Sequence, residues 1–333
     1  MTSKGRRWVA VTATDDFPVS MKPVRAALRG VAPVRIVPLP FRPISAAEEK
    51  KFAKQFQGAA GMLLRPGYIT PSLLDRLPDL KVVAMHGVGV DQIDVEACTE
   101  RGVLVTNAPG ANADSVAELT LGLMISMARQ LPQSAWRVHN DKVWGEARHT
   151  GSELRGKTLG LVAVGQIGQR VAHLCKAFGM KVCGYDPGLN AKEIRARGVR
   201  PVKLDALLAE SDYVSLHAPL TPDTHHLIDC KAIAKMKKGA ILINAARGPL
   251  VDETAMARAL KSGKLGGAAL DVLEGEPPDP KSPIFSAPNI LLTPHMAGST
   301  AECLDRIAGT AATDIARFVQ GKRPKYRVNR PRR

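Results

Sequence analysis

The segment from residue 160 to residue 186, GLVAVGQIGQRVAHLCKAFGMKVCGYD, constrains the fold more than any other part of the chain. It has the pattern of a strand, a tight turn, a helix and a second strand that ends on an acid. Ala163, Gly165 and Gly168 occupy the three glycine positions of a G-x-G-x-x-G turn, in which glycines allow close backbone approach and close helix–strand packing. The segment therefore predicts a βαβ unit and a parallel sheet with helices on both faces.

This turn also favours a dinucleotide site, although Ala163 departs from the pattern. The free N–H groups at the helix start, near Gln166 and Ile167, suit a pyrophosphate. Asp186 can accept both ribose hydroxyls and would repel the 2′-phosphate of NADP, so NAD is the predicted cofactor. The alternative is an ordinary βα turn whose glycines serve packing alone. The strand–turn–helix–strand–Asp context favours the dinucleotide site.

Strand and helix patterns alternate along the rest of the chain. Valine-rich runs such as WVAVTA and KVVAM predict strands, while Ser45 with Glu48 and Thr70 with Pro71 mark helix starts. The pattern NADSVAELTLGLMISMARQL is apolar on most faces and predicts a buried helix. We expect two doubly wound parallel-sheet α/β domains, one Rossmann and one flavodoxin-like, with a cleft between them. The expected boundaries are 1–106, completed by 299–333, and 107–298.

The net charge of +16 raises the question of nucleic-acid binding. Much of this charge lies at the ends, in Lys4, Arg6 and Arg7 and in the final KRPKYRVNRPRR. Terminal runs of this kind are typical of solvated tails, and no binding motif accompanies them. No specific nucleic-acid partner is therefore predicted.

The sequence also bears on membranes, redox state and metals. No apolar run approaches the ~20 residues that span a bilayer, and the start lacks the apolar stretch of a signal peptide. Five scattered cysteines without C-x-x-C spacing predict reduced thiols and a cytoplasmic protein. The histidines show no metal-ligand spacing, and a helix would point the neighbours His225 and His226 to different faces. No metal site is predicted.

Four further segments resemble the D-isomer-specific 2-hydroxyacid dehydrogenases, the family that includes phosphoglycerate dehydrogenase. They are HGVGVDQID (86–94), NAPGANADSVAELTLGL (107–123), INAARGPLVDE (243–253) and GAALDVLEGEPP (267–278), and TPHMAGST (293–300) follows them. The resemblance implies that 107–298 is the NAD-binding domain and that the other domain binds the substrate. It also implies a homodimer.

The resemblance assigns three catalytic residues. Arg247 would bind the substrate carboxylate with its planar guanidinium. His295 would be the general acid–base, and Glu276 would orient it and stabilise its protonated ring. Taken singly, these residue types are more often a surface arginine, a turn acid and a packed or capping histidine. Their common register favours catalysis.

Other positions match cofactor or substrate contacts of the family. Asp271 matches the residue that holds the nicotinamide carboxamide. The backbone N–H groups of residues 87–89 would hold the substrate carboxylate, and Arg65 would reach the far end of the substrate. The remaining matched positions are Ala218, Ala245 and Gly298 for the cofactor, and Gly87, Val88 and Gly89 for the substrate.

Departures from the family narrow the expected substrate. Many relatives carry Arg or Lys where this chain has Met85, which disfavours a phosphorylated substrate. Formate-oxidising relatives have a glutamine where this chain has Glu276, so formate is not an expected substrate. The chain ends soon after its last predicted helix, so no C-terminal regulatory domain is expected. The predicted activity is dehydrogenation of a small D-2-hydroxy acid or the reverse reduction, with hydroxypyruvate or glyoxylate favoured. The alternatives are D-3-phosphoglycerate dehydrogenase and, in another class, an NAD(H)-sensing corepressor-like binding protein.

Overall fold

The computed structural model describes residues 7–145 and 150–331. The chain forms two compact units: one runs to Asn112 and resumes at Ser299, and the other spans the residues between them. The division therefore falls after the boundary expected at residue 106. The reason is local packing, because Ala108 and Ala111 contact Cys303 and so belong with the first unit. Of the basic residues at the two ends of the chain, four lie outside the described residues: Lys4, Arg6, Arg332 and Arg333.

The first unit contains one five-stranded sheet with helices around it. Its strands are β1 (Trp8–Val11), β2 (Val34–Ile36), β3 (Ala59–Leu64), β4 (Val82–Met85) and β5 (Leu104–Thr106). Its helices are α1 (Met21–Leu28), α2 (Ala46–Gln55), α3 (Pro71–Asp75), α4 (Val95–Glu100) and α12 (Ala301–Val319). The order β2-β1-β3-β4-β5, parallel throughout, is the expected flavodoxin-like topology.

Local side chains set the starts of two helices as predicted. The Ser45 hydroxyl accepts from the N–H of Glu48 at 3.3 Å, and the Glu48 carboxylate accepts from the N–H of Ser45 at 2.9 Å. This reciprocal pair is a capping box. At α3, the Thr70 hydroxyl accepts from the N–H of Leu73 at 3.1 Å.

The basic C-terminal segment departs from the expected solvated tail. The N–H groups of Lys325 and Tyr326 donate to the buried Asp314 carboxylate at 2.7 and 2.8 Å. The Asn329 side chain accepts from the N–H of Val105 at 2.8 Å, at the outer edge of β5. An edge strand presents unpaired backbone groups, and this segment satisfies some of them. The expectation was therefore wrong for the backbone of residues 325–329.

The second unit contains a seven-stranded sheet. Its strands are β6 (Thr158–Val162), β7 (Lys181–Tyr185), β8 (Arg200–Pro201), β9 (Tyr213–Leu216), β10 (Ala240–Asn244), β11 (Leu265–Leu270) and β12 (Ile290–Leu292). Its α-helices are α5 (Ala113–Arg129), α6 (Leu131–Trp136), α7 (Gln166–Ala177), α8 (Ala191–Ala196), α9 (Leu204–Glu210), α10 (Cys230–Lys235) and α11 (Glu253–Lys261). All strand pairs are parallel.

The strand order β12-β11-β10-β9-β6-β7-β8 places a reversal between β6 and β9. The chain moves outward from β6 to β8 on one side and from β9 to β12 on the other. In open α/β sheets, ligands bind beyond the carboxyl ends of the strands at such a reversal. The fold therefore directs attention to the residues that follow Val162 and Leu216.

Helix α5 is buried against this sheet over only part of its surface. Val116, Leu123 and Met124 are buried as the sequence predicts, while Leu121 and Ile125 are half-buried.

Within the described ranges, no helix has both the length and the apolar character needed to cross a membrane.

Candidate catalytic and cofactor site

The turn between β6 and α7 has the geometry that its sequence predicts. Ala163, at the first glycine position, adopts a left-handed backbone with φ 69°, a conformation that glycine adopts without strain. Its N–H donates to the carbonyl of Tyr185 at 2.7 Å. A Cβ at Gly168 would lie 2.5 Å from the carbonyl oxygen of Ala163, so close packing requires glycine there.

Asp186 closes this turn from the end of β7. Its carboxylate accepts from the N–H of Val164 and the N–H of Gly188, both at 2.9 Å. A carboxylate has about four lone-pair sites, so hydroxyl groups can still bind here. Arg197, which the sequence reasoning missed, donates to the carbonyl of Val164 at 2.6 Å. No motif signals Arg197, because it lies at the end of α8, 33 residues after Val164.

Two further observations test whether a dinucleotide fits. A Cβ at Gly165, the residue that caps α7, would have no described heavy atom within 4 Å, so the backbone faces open space. His217 follows β9 at the reversal and has Nε2 2.9 Å from the Ser215 hydroxyl, while its buried Nδ1 has no partner among the described residues. Burial lowers the pKa of His217 to about 4, so the ring is neutral near pH 7. An open helix start, a polar atom without a partner and Asp186 together fit an adenine dinucleotide.

The other predicted cofactor positions lie at the same carboxyl ends of the sheet. Ala218 follows β9 and Ala245 follows β10, and both small side chains are buried. Ile167 packs beside Ala245 and Ala297. Gly298 ends the second unit, three residues after His295.

His295 and Glu276 form the closest pair among the predicted catalytic residues. His295 Nδ1 lies 2.6 Å from Glu276 Oε2, with the side chains 48% and 25% exposed. The other Glu276 oxygen accepts from the N–H of Leu273 at 3.1 Å, which fixes the carboxylate. Because Nδ1 is engaged by the carboxylate, Nε2 is the nitrogen available to exchange a proton with a substrate.

Asp271 holds the loop that carries His295. Its carboxylate, 1% exposed, accepts from the Thr293 hydroxyl at 2.6 Å and from the N–H groups of Met296 and Ala297 at 2.9 and 2.8 Å. Its carbonyl accepts from the N–H of His295 at 2.7 Å. The motif alone gave no sign of this positioning role.

Arg247 follows β10 on a segment that lies against the residues before Glu276. Its guanidinium donates to the carbonyl of Ala246 at 2.6 Å, and its own carbonyl accepts from the Asn244 side chain at 2.8 Å. A Cβ at Gly248 would lie 1.9 Å from the backbone of Leu273, so only glycine permits this approach. The arginine is half-buried.

The predicted substrate residues of the first unit lie on the loop after β4 and beside it. The carbonyls of Gly87 and Val88 accept from the N–H of Ala108 and the side chain of Asn107, at 2.8 and 2.7 Å. No hydrogen bond to a described residue uses the N–H groups of residues 87–89. They remain available to an anion, and Asn107, which the sequence reasoning did not single out, holds the backbone of Val88.

Arg65 and Met85 differ from each other in accessibility. The Arg65 guanidinium is partly buried and donates to the carbonyl of Pro18. Met85 is 9% exposed and packs in the apolar core, because β4 is covered on both faces. The Met85 side chain also lies beside the loop after β4, since a Cβ at Gly87 would be 3.8 Å from Met85 Cε. The inference from the missing charge at this position therefore stays a prediction.

The structure also corrects the expectation for His225 and His226. They lie in a turn and not in a helix, and His226 has φ 49°. Their rings stack at 4.1 Å between centroids, and His226 Nε2 is 2.8 Å from Glu274 Oε1. Adjacent side chains can share a side when one residue is left-handed.

The comparisons with known proteins agree with this geometry. The sequence profile of the "D-isomer specific 2-hydroxyacid dehydrogenase, NAD binding domain" matches residues 121–297. The chain is 43% identical over 286 residues to a D-3-phosphoglycerate dehydrogenase of Methanocaldococcus jannaschii, covering 85% of this chain and 54% of the relative. It is 41% identical over 266 residues to a glyoxylate reductase of Thermofilum pendens, covering 79% and 78%. The chain thus spans about half the length of the phosphoglycerate dehydrogenases that it matches.

Among solved structures, the fold is similar to that of a D-lactate dehydrogenase of Aquifex aeolicus complexed with NAD and lactic acid. The TM-score is 0.81 at 32% identity, and the match covers 97% of this chain and 100% of that one. The expected fold class, two doubly wound parallel sheets, is confirmed.

Proposed function

Because the chain belongs to the D-isomer-specific 2-hydroxyacid dehydrogenase family, we propose that it is an NAD-dependent oxidoreductase that interconverts a small 2-oxo acid and the D-2-hydroxy acid. The 2.6 Å contact between His295 Nδ1 and Glu276 Oε2 carries the proposal. A histidine held by a carboxylate through one ring nitrogen can release and recover a proton through the other.

The proposed reduction uses three side chains of the second unit. Arg247 binds the substrate carboxylate and polarises the adjacent carbonyl. His295 donates a proton from Nε2 to the carbonyl oxygen. NADH, when bound, would supply the hydride that reduces C2. Glu276 stabilises the protonated ring before the transfer. In the oxidising direction His295 accepts the hydroxyl proton.

The cofactor would lie along the carboxyl ends of the second sheet. Gly165, Gln166, Ile167 and Gly168 would hold the pyrophosphate, and Asp186 would accept the ribose hydroxyls and favour NAD over NADP. Ala218, Ala245 and Gly298 would leave room for the rest of the cofactor. Asp271 would contact the carboxamide through the one lone-pair site of its carboxylate that the His295 loop leaves unused.

Glyoxylate or hydroxypyruvate is the proposed substrate. The N–H groups of Gly87, Val88 and Gly89 would hold the carboxylate of either acid, and the glyoxylate reductase relative supports this class. D-3-phosphoglycerate is the second candidate, since several relatives bear that activity in their names and Arg65 could meet a distal anion.

A substrate panel separates these candidates. NADH consumption would be followed at matched concentrations of glyoxylate, hydroxypyruvate and 3-phosphohydroxypyruvate. We expect the highest kcat/KM for one of the first two. A clear preference for 3-phosphohydroxypyruvate that Arg65→Ala removes would make the second candidate the function. Absence of turnover with every 2-oxo acid would favour a binding protein that responds to NAD(H).

We further propose a homodimer that works in the cytoplasm. Large apolar side chains are exposed in and after α6, namely Leu131 (48%), Trp136 (58%) and Trp144 (89%). Exposed apolar side chains mark an interface where they form a contiguous patch. All five cysteines are free, as in a reducing compartment. Light scattering of the purified chain and of Trp136→Asp tests the dimer, and cell fractionation tests the location.

A further inference from the structure

We propose that His225, His226 and Glu274 form a binding site for a Zn²⁺ ion. One ligand atom from each of the three side chains lies within 4.8 Å of the other two. His226 Nε2 and Glu274 Oε1 are 2.8 Å apart. The site is separate from the His295–Glu276 pair and does not depend on the proposed reaction.

The distances suit a tetrahedral ion after small side-chain movements. Zn²⁺ binds histidine nitrogen and carboxylate oxygen at ~2.0–2.2 Å, which places neighbouring ligand atoms about 3.3 Å apart. The observed separations, from 2.8 Å up to 4.8 Å, bracket this value. His225 and Glu274 are exposed, so their side chains can adjust without disturbing the core.

The backbone supports this arrangement. His226 has φ 49°, and its N–H donates to the carbonyl of Pro249 at 2.8 Å. On the other segment, the N–H of Glu274 donates to the Glu253 carboxylate at 2.6 Å. These bonds fix the two segments independently of an ion, so the ligands are brought together before it binds.

The ligand set also defines the kind of ion. Two imidazoles and one carboxylate match the three protein ligands of open zinc sites, with water in the fourth position. Ca²⁺ and Mg²⁺ prefer oxygen ligands and would bind poorly to two imidazoles. An ion at this position would join residues 221–228 to the segment that leads to Glu276.

The test is calorimetric titration of the full chain with Zn²⁺. Cys230, an exposed thiol nearby in sequence, is replaced by serine in all proteins so that it cannot take the ion. His226→Asn removes the imidazole but tolerates positive φ, and His225→Gln removes the second ring. His173→Gln, at an exposed histidine of α7, is the matched control.

The parent is the Cys230→Ser protein without further substitutions. We expect it to bind one Zn²⁺ per chain, and we expect added Zn²⁺ to raise its Tm. Each of the two site variants should lose at least ~10-fold in affinity, since loss of a partner even one shell out typically costs that much. The control should bind like the parent, and Ca²⁺ should give no saturable binding. Co²⁺ should give the visible bands of a four-coordinate site in the parent and in the control, and not in the two site variants. Equal Zn²⁺ affinity in folded parent and site variants, or no saturable binding in the parent, would overturn the proposal.

Discussion

Replacing Glu276 tests how the carboxylate acts on His295. Glu276→Gln keeps an oxygen that can accept from Nδ1 but removes the negative charge. A hydrogen bond to a charged group contributes ~1.5–3 kcal/mol and a neutral one ~0.5–1.5 kcal/mol. The charge is therefore worth about 1 to 1.5 kcal/mol here, or about 5- to 10-fold in rate. Glu276→Ala removes the whole contact and should cost about 10- to 100-fold.

The assay is NADH consumption with glyoxylate or hydroxypyruvate, whichever the panel favours. Both Glu276 variants should lower kcat/KM while leaving the affinity for NADH unchanged. Glu210→Gln is the matched control, because it removes a carboxylate from an ion pair with Arg200 on the same unit, at 2.5 Å.

A double variant gives the decisive result. If Glu276 acts only through His295, then Glu276→Gln should have little further effect in a His295→Gln background. Full activity of Glu276→Gln would refute the role of the charge. The same fold loss in both backgrounds would show that Glu276 acts independently of the histidine.

Three more predictions address catalysis, cofactor choice and stability. His295→Gln should lower kcat by ~10²–10⁴ while NADH binding, measured by fluorescence titration, stays intact. Asp186→Ser combined with Pro187→Arg should weaken NADH and improve NADPH in steady-state kinetics, since the acid that repels a 2′-phosphate is gone. Burial and the neighbouring Arg65 charge lower the pKa of His86 to about 3, so only the unfolded chain takes up its proton as pH falls below ~6.5. Urea unfolding of the first unit should therefore show about 2 kcal/mol less stability at pH 5 than at pH 7, and His86→Leu should reduce that difference. Near-normal turnover of His295→Gln would contradict the first prediction, and a wild-type preference for NADPH would contradict the second. A free energy of unfolding that does not change between pH 5 and pH 7 would contradict the third.

The parts of the structure that the sequence predicts well are set by short-range patterns. The capping box at Ser45 depends on residues three apart, and the turn after β6 depends on Gly165 and Gly168 within one βαβ unit. Both patterns specify backbone geometry directly, so no distant contact is needed to form them. The contact between His295 and Glu276 is different, because the two residues are 19 positions apart and no local pattern pairs them. Only the resemblance to a family predicts that they meet.

The failed expectations depend on tertiary context. His226 adopts a left-handed backbone, which local helix reasoning does not anticipate. Residues 325–329 dock because the edge of β5 has unpaired backbone groups. Each outcome is decided by a partner distant in sequence.

The arrangement of Arg247 and His295 is set within one unit. Asn244, 1% exposed, donates from its side chain to the Arg247 carbonyl, and its own carbonyl accepts from the N–H of Asp271 at 2.8 Å. Asp271 in turn binds the loop around His295. The left-handed φ of 51° at His295 costs on the order of 1–3 kcal/mol, and such a conformation persists only where the surrounding contacts hold it. A continuous line of hydrogen bonds thus runs from the proposed carboxylate-binding residue to the proposed acid–base. Because its buried members lie at the ends of β10 and β11, the rigidity of the sheet itself determines where both groups stand.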